Sequence, residues 1–529
     1  MGALPMEPLS SLSPSVYPVK PLLNQVTLEE ALEAAGNGKF QRYVALIGSI
    51  CFLAGGFQNS LNAYILPSIK CDMGISSSEM GLLNAGFLAG ALCSGFLSGV
   101  LVDNIGRKPI LVAGMFLDGI CTLIASTAQS FGFLLVFRSL SGFLVGGPSA
   151  VVLTYVGEFH SNKNRNQVLC FVGVAWMVSW VLLPLISMAV IPLDFNFNVG
   201  SFNFNSWKLL VALFACPSLI SSAFLFKLPE SPKFLVINGQ HDKALKELVR
   251  IYTMNTGFPG SNFSVISLEK NTDEMKLSFG NKSIWKPLLI MVKQCKSLFF
   301  GPTLPIISLT NFLFFANMFG YYGLGLWLPE LINRFQTFES EHPNATISVC
   351  EASQLKLKTV YDCGSSSVSS VVFGFSLIMG AASLVGNIAS GLLIPKLPRP
   401  MMPVFFMTIS SFCVLLLYYV KNSVQNLIVS AVFQLCIGSS NIVYNALVVD
   451  MFPNEISGMA VCLSIAFGRL GAVGSNLVFG HFLDISCAIP IFTCAFLIAC
   501  GALLSFAIPK KPYEEIKLFD GKKPVVTIT

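Results

Sequence analysis

The chain has 529 residues, of which 53% are hydrophobic and only 11% charged, where a soluble domain carries roughly a quarter charged residues. Apolar segments as long as these lack the polar faces that helices of a large water-soluble protein need, which sets a soluble globular fold aside. The formal charge of +6 follows from sidedness, and nothing in it points to nucleic acid.

Residues 1–42 form a cytoplasmic arm with Pro and Ser, closing on a short helical stretch from Leu28 to Ala35. Twelve apolar segments follow, near 43–66, 80–102, 109–128, 132–157, 168–191, 206–227, 304–327, 368–394, 401–420, 424–448, 457–482 and 486–507. Each can cross a bilayer, which takes about 20 residues, and each is expected to be helical because lipid leaves backbone groups no outside partner. Spans one to six make an N-terminal bundle over 43–227, and spans seven to twelve a C-terminal bundle over 304–507. The linker 228–303 is polar, and its stretch from His241 to Tyr252 sets Ala244, Leu245, Leu248 and Ile251 at helical spacing. That spacing predicts an amphipathic helix lying on the bundle or the membrane surface. An external loop spans 328–367 and a cytoplasmic tail 508–529.

Basic residues set the orientation. Lys39, Arg42, Arg107, Lys108, Lys163, Arg165, Lys396 and Arg399 fall on one side with the linker and tail, against few on the other, so both termini are cytoplasmic. The first span comes after some forty mostly polar residues and is expected to act as an uncleaved anchor. Asn344-Ala345-Thr346 is a glycosylation sequon on the external loop, whereas Asn262 and Asn281 lie in the linker and should stay unmodified. Cys350 and Cys363 share that loop and either pair or remain free thiols. No metal-ligand spacing, phosphate-binding loop or catalytic triad occurs, so neither a metal, a cofactor nor an enzymatic reaction is expected.

One pattern occurs twice, 292 residues apart (99 to 391, 158 to 450). Gly99 to Lys108 is a short charged turn, and Gly391 to Pro400 repeats its Gly, Leu and Arg positions but carries Pro395 and Pro398 for Asp and Gly. Glu158 with Arg165 recurs as Asp450 with Ser457, and Gly146 as Gly438. A shared offset of this kind marks a duplicated membrane bundle, the architecture of secondary transporters.

The turn Gly99 to Lys108 resembles the loop signature of the major facilitator superfamily. Arg138 with Gly142, Gly146 and Gly147 resembles that superfamily's fourth-helix motif, and Glu158-Phe159 with Arg165 the segment after it. Pro229-Glu230-Ser231-Pro232 after span six is similar to the motif of sugar and organic-ion carriers. Ser206-Trp207-Lys208, Asn238 to Asp242 and Tyr321-Tyr322-Gly323-Leu324 look closest to the synaptic vesicle glycoprotein 2 family, of which this would be a divergent, short-looped member. The resemblance implies an all-α integral membrane protein of twelve helices in two six-helix halves, with spans 1, 4, 7 and 10 lining a cavity. Vertebrate relatives carry two carboxylates in the first span and one in the tenth, where this chain has Gly55, Gln58 and Asn445.

Candidate residues follow. Asp103, Gly106, Arg107 and Lys108, with Arg138, Glu158 and Arg165, are expected to form a cytoplasmic gate; the competing reading of the turn is a topogenic signal. Gln58 and Asn62, Asn317 with Tyr321 and Tyr322, and Gln434, Asn441 and Asn445 make polar stripes at helical spacing, to which Trp176 and Trp180 add rings. As a set they suit a small polar solute, although for any one of them taken alone a helix–helix bond is the better reading. Asp118 is the one mid-membrane carboxylate and the candidate proton carrier, against the reading that it sits outside the pathway. The expected function is facilitative alternating-access transport by a monomer of the plasma membrane or an intracellular vesicle. The alternatives are a transporter-shaped binding or trafficking protein and a proton-coupled carrier.

Overall fold

The computed structural model describes residues 24–193, 195–200, 202–269, 298–299, 303–342, 348–354, 370–393, 400–452 and 454–509. Among these, twelve helices are long and apolar enough to cross a membrane. A short α1 (Leu28–Ala35) precedes them, started by a capping box in which Thr27 and Glu30 satisfy each other's backbone. The N-terminal half comprises α2 (Lys39–Met73), α3 (Ser77–Ile105), α4 (Arg107–Ala125), α5 (Phe131–Gly157), α6 (Asn162–Val190) and α7 (Ser206–Lys227). On the cytoplasmic side α8 (Pro232–Ile237) and α9 (His241–Thr256) follow. The C-terminal half comprises α10 (Leu304–Glu341), a short α11 (Val349–Gln354), α12 (Ser370–Leu393), α13 (Met401–Tyr419), α14 (Ser423–Met451), α15 (Asn454–Phe482) and α16 (Ala488–Ser505).

The amphipathic helix of the linker forms as its spacing predicts, with Ala244, Leu248 and Ile251 buried and Leu245 half-buried. It packs against α1, and Asn255 at its end ties to the start of α2 by accepting from Phe40 N (3.0 Å) and donating to Gly36 O (2.9 Å). Backbone pairing of Val26 with Leu268 adds a second tie between arm and linker.

Two expectations are corrected. The external loop does not begin at 328, because α10 runs on to Glu341. Its charged residues belong to the helix, where Glu330 and Arg334 pair across one turn at 2.7 Å. Cys350 bonds Cys487, not Cys363, so the external loop is fastened to the turn between α15 and α16. Asn344 and Cys363 lie outside the described residues.

Between α6 and α7 the chain also makes a hairpin, β1 (Asn196–Val199) with β2 (Phe202–Asn205), pairing Asn196 with Asn205 and Val199 with Phe202.

The halves meet through α3 on α15, α6 on α12 and α2 on α10. At the external end α3 and α15 touch backbone to backbone: a Cβ on Gly81 would lie 2.7 Å from Gly480 Cα. At the cytoplasmic end Gly99 and Gly391 face open space. The described contacts between the halves thus close the external end.

Candidate functional site

At the cytoplasmic mouth Gly106 adopts φ +113, a conformation glycine tolerates, and turns α3 into α4. The first amides of α4 have no partner within the helix, and Glu230 takes them: its carboxylate accepts from Arg107 N and Lys108 N at 3.2 Å each. A Cβ on Gly106 would strike that carboxylate at 2.4 Å. Burial pushes the Glu230 carboxyl above its ordinary pKa, with the three backbone donors and the Arg107 charge working in the opposite direction. Arg107 Nε lies 3.3 Å from Glu158 Oε2, and its guanidinium covers the Phe234 ring. Arg165 lies against Gly157, and Glu29 of the arm caps α6 by accepting from Asn162 N at 2.5 Å. Gly106, Arg107, Lys108, Glu158 and Arg165 thus gather as the sequence suggests, around an acid whose role in the Pro229 block the sequence reading did not foresee. These contacts all lie within the N-terminal half and its cytoplasmic helices. The Asp103 side chain lies outside the described structure.

Arg138 is elsewhere. It stands seven residues from the external start of α5, fully buried. Its Nε donates to Asn62 Oδ1 (2.8 Å), and Nη1 and Nη2 donate to Gln58 Oε1 and Gln58 O (2.7 Å each). Gln58 Nε2 in turn donates to Phe214 O at 2.9 Å. Arg138 therefore does not belong to a cytoplasmic gate, and Gln58 and Asn62 are spent on it inside the N-terminal half. Asp118 is enclosed between α4, α5 and α7, accepting from Ser141 Oγ (2.5 Å) and Ser218 Oγ (2.7 Å), with no exposed surface.

Between the halves the aromatic stripes do converge. The Trp180 ring of α6 lies 5.5 Å from Tyr321 of α10, and Tyr321 lies 5.0 Å edge-on to Tyr322. Trp176 packs on Phe52 and against Gly55, and Gln434 lies beside Gly325. Asn317 accepts from Ser440, while Asn445 donates to Asn441 at 2.8 Å, so the α14 stripe partly bonds to itself. Five buried polar atoms here have no hydrogen-bond partner: Asn59 Nδ2, Trp180 Nε1, Asn317 Nδ2, Asn387 Oδ1 and Gln434 Oε1. A buried polar atom left unsatisfied costs about 1–3 kcal/mol, so each of these atoms has a bond to gain from a polar ligand. Asn387 sits on α12, outside the expected lining helices, and Asn59 points away from the Gln58 stripe, so neither was foreseen.

The external end carries a network across the halves. Lys70 Nζ pairs with Glu330 Oε1 at 3.3 Å, and Arg334 pairs with Glu330 (2.7 Å) and Asp484 (2.9 Å). Arg334 Nη2 also donates to Ser77 Oγ (2.6 Å), which donates to Asp484 Oδ1 (2.8 Å). Burial raises the Asp484 carboxyl, but Arg334, Ser77 and Lys70 outweigh it and hold the pKa below the usual carboxylate range.

Twelve membrane helices in two repeated halves, closed at one face around buried polar groups, define a membrane transporter. The sequence pattern of the Major Facilitator Superfamily matches residues 48–476, and the chain belongs to that superfamily. Within it, the chain is similar to synaptic vesicle glycoprotein 2C of Mus musculus, 24% identical over 91% of this chain and 80% of that protein. Synaptic vesicle glycoprotein 2B of Homo sapiens is likewise 24% identical, over 91% and 85%. The fold of this chain is similar to that of a D-xylose–proton symporter (TM-score 0.63, 16% identity, 89% of this chain and 99% of that one). The inward-open xylose transporter XylE from E. coli gives a TM-score of 0.65 at 16% identity, over 90% and 99%.

Proposed function

We propose that the chain moves a small polar organic solute down its gradient by alternating access, as a monomer and without chemical conversion. The observation that carries this is the set of unpartnered polar atoms from Asn59, Trp180, Asn317, Asn387 and Gln434, contributed by both halves and walled by Trp176, Tyr321 and Tyr322. Amide and indole groups bind a polar solute by hydrogen bonds, and the rings give it faces to stack on. Polar atoms of both halves can close around one solute only when the halves approach, which couples occupancy to the rocking motion.

In the inward-facing arrangement the external network of Lys70, Glu330, Arg334 and Asp484 holds the outer door. Release of that network and approach of the cytoplasmic ends would expose the site outside. Gly106, Arg107, Lys108, Glu158, Arg165 and Glu230 brace the N-terminal half so that it turns as one body. Enclosure of Asp118 by two hydroxyls, away from the face between the halves, supports the facilitative reading over proton coupling. Counterflow in proteoliposomes tests the proposal: a labelled solute should accumulate transiently against unlabelled internal solute. A transporter-shaped binding protein gives no counterflow across a metabolite library.

A further inference from the structure

Charge in the membrane interior is balanced on one side of the molecule and not on the other. In the N-terminal half a buried cation, Arg138, and a buried acid, Asp118, stand on neighbouring helices, bonded to Gln58 and Asn62 and to two serines respectively. In the C-terminal half Arg469 lies midway along α15, and among the described residues it makes no ion pair. A charge at this depth costs on the order of 3 kcal/mol on insertion scales, so it faces a partner or a watered route.

Arg469 faces the gap between the halves. Its Nη1 donates across to the Ala91 carbonyl of α3, and it lies 3.8 Å from where a Cβ on Gly95 would stand. Tyr322 of α10 lies within electrostatic reach of Arg469, and Asn59 of α2 lies within reach of Tyr322. Three groups from α15, α10 and α2 thus converge: a guanidinium, a phenol and an amide donor. A guanidinium has five N–H donors in a planar fork, and the bond to Ala91 uses one edge of it. Arg469 is half-buried while Ala472, one turn on, is fully buried.

We propose that Arg469 is the anion anchor of the transport site and that the solute carries a single carboxylate. This rests on the carrier reading above and names its substrate class. A carboxylate matches the fork in geometry and forms charge-assisted bonds to it, and Tyr322 and Asn59 supply further donors. One negative charge neutralises the site, so the loaded cavity closes electrically balanced, whereas a phosphate dianion leaves a net charge in a region of low dielectric.

The test uses matched pairs that differ in charge alone: benzoate against benzamide, nicotinate against nicotinamide, and acetate against acetamide. Purified full-length protein is assayed by ligand-induced thermal stabilisation, and proteoliposomes by counterflow. The acid of at least one pair is expected to bind about tenfold or more tightly than its amide, with that preference lost in Arg469→Gln and largely kept in Arg469→Lys. Equal binding of acids and amides in every pair overturns the proposal, as does an acid preference that survives Arg469→Gln. Should Arg469→Gln fail to fold, Tyr322→Phe with Asn59→Ala must lower the acid preference several-fold, and an unchanged preference there also overturns it. Acid-selective stabilisation without counterflow would uphold the anion site while sinking the carrier reading, so the two failures are distinguishable.

Discussion

Lys70 Nζ and Glu330 Oε1 stand 3.3 Å apart at the external end of the bundle, one on each half. Glu330 is 1% exposed at its side chain and Lys70 24%, so the pair is buried on one side only. Breaking a fully buried pair by removing one partner costs about 3–5 kcal/mol. Even half of that, allowing for solvent at Lys70, moves an equilibrium more than tenfold at about 1.4 kcal/mol per decade. Glu330→Gln should therefore shift the resting protein toward the outward-open state. The check is labelling of a cysteine introduced at Asn59 by a membrane-impermeant maleimide from outside, expected to rise several-fold. Unchanged labelling would mean that the network does not hold the door.

The same network should be indifferent to pH across the range of acidic vesicles. The Asp484 carboxyl is held below the ordinary carboxylate range, so its contribution is present above the unfolded pKa of about 3.9 and is lost only as pH falls through the still lower folded value. Transport measured between about pH 5.5 and 7.5, away from that window, should vary little, since His is the side chain that ordinarily titrates there. His160, buried at the cytoplasmic end, has its pKa lowered by that burial, which favours its neutral form. Asp118→Asn should leave net flux near wild type. Solute accumulation driven by a pH gradient and abolished by Asp118→Asn would refute the uncoupled reading.

Glu230 should matter to stability more than its place in a loop suggests. Glu230→Ala leaves Arg107 N and Lys108 N without their acceptor and removes a negative charge from a helix N-terminus, a loss of about 1–2 kcal/mol. Glu230→Gln keeps an acceptor and should lose less. Thermal unfolding in detergent ranks the three proteins, and equal midpoints for Ala and Gln would assign the effect to packing.

Peptide mapping without reduction should recover Cys350 linked to Cys487. Cys363→Ser should leave that link intact, and Cys350→Ser should lower thermal stability by as much as about 4 kcal/mol, the scale for closing a loop on the order of 100 residues. A peptide joining Cys350 to Cys363 would refute the pairing.

Most of the fold was legible because lipid imposes a simple rule on sequence: twelve apolar runs become twelve helices. The rule fails where charges satisfy one another. Glu330 and Arg334 read as loop residues, yet they lie one turn apart, and Lys70 and Asp484 complete their shell from distant sequence. Phe and Asn alternate over 195–198 and again over 202–205, a period-two signal of strands that apolar span length does not register. At the site, residue type was legible but direction was not. Gln58, Asn62 and Asn59 fall within five positions of one helix, yet the first two are committed to Arg138 and the third keeps a free donor. Cys350 and Cys487 are 137 positions apart, and no local pattern records such a pairing.

At Gly81 and Gly480 the outer seal is made of main chain, beside the side-chain network of Lys70, Glu330, Arg334 and Asp484. A plug swings aside in its own time and still occupies the passage once moved; bare helices leave the whole gap free as soon as they separate. Every ångström of parting between α3 and α15 becomes an ångström of aperture, and the first methyl group added at either glycine becomes a permanent wedge. Gate width here is a property of helix spacing, tuned by the smallest residues in the chain.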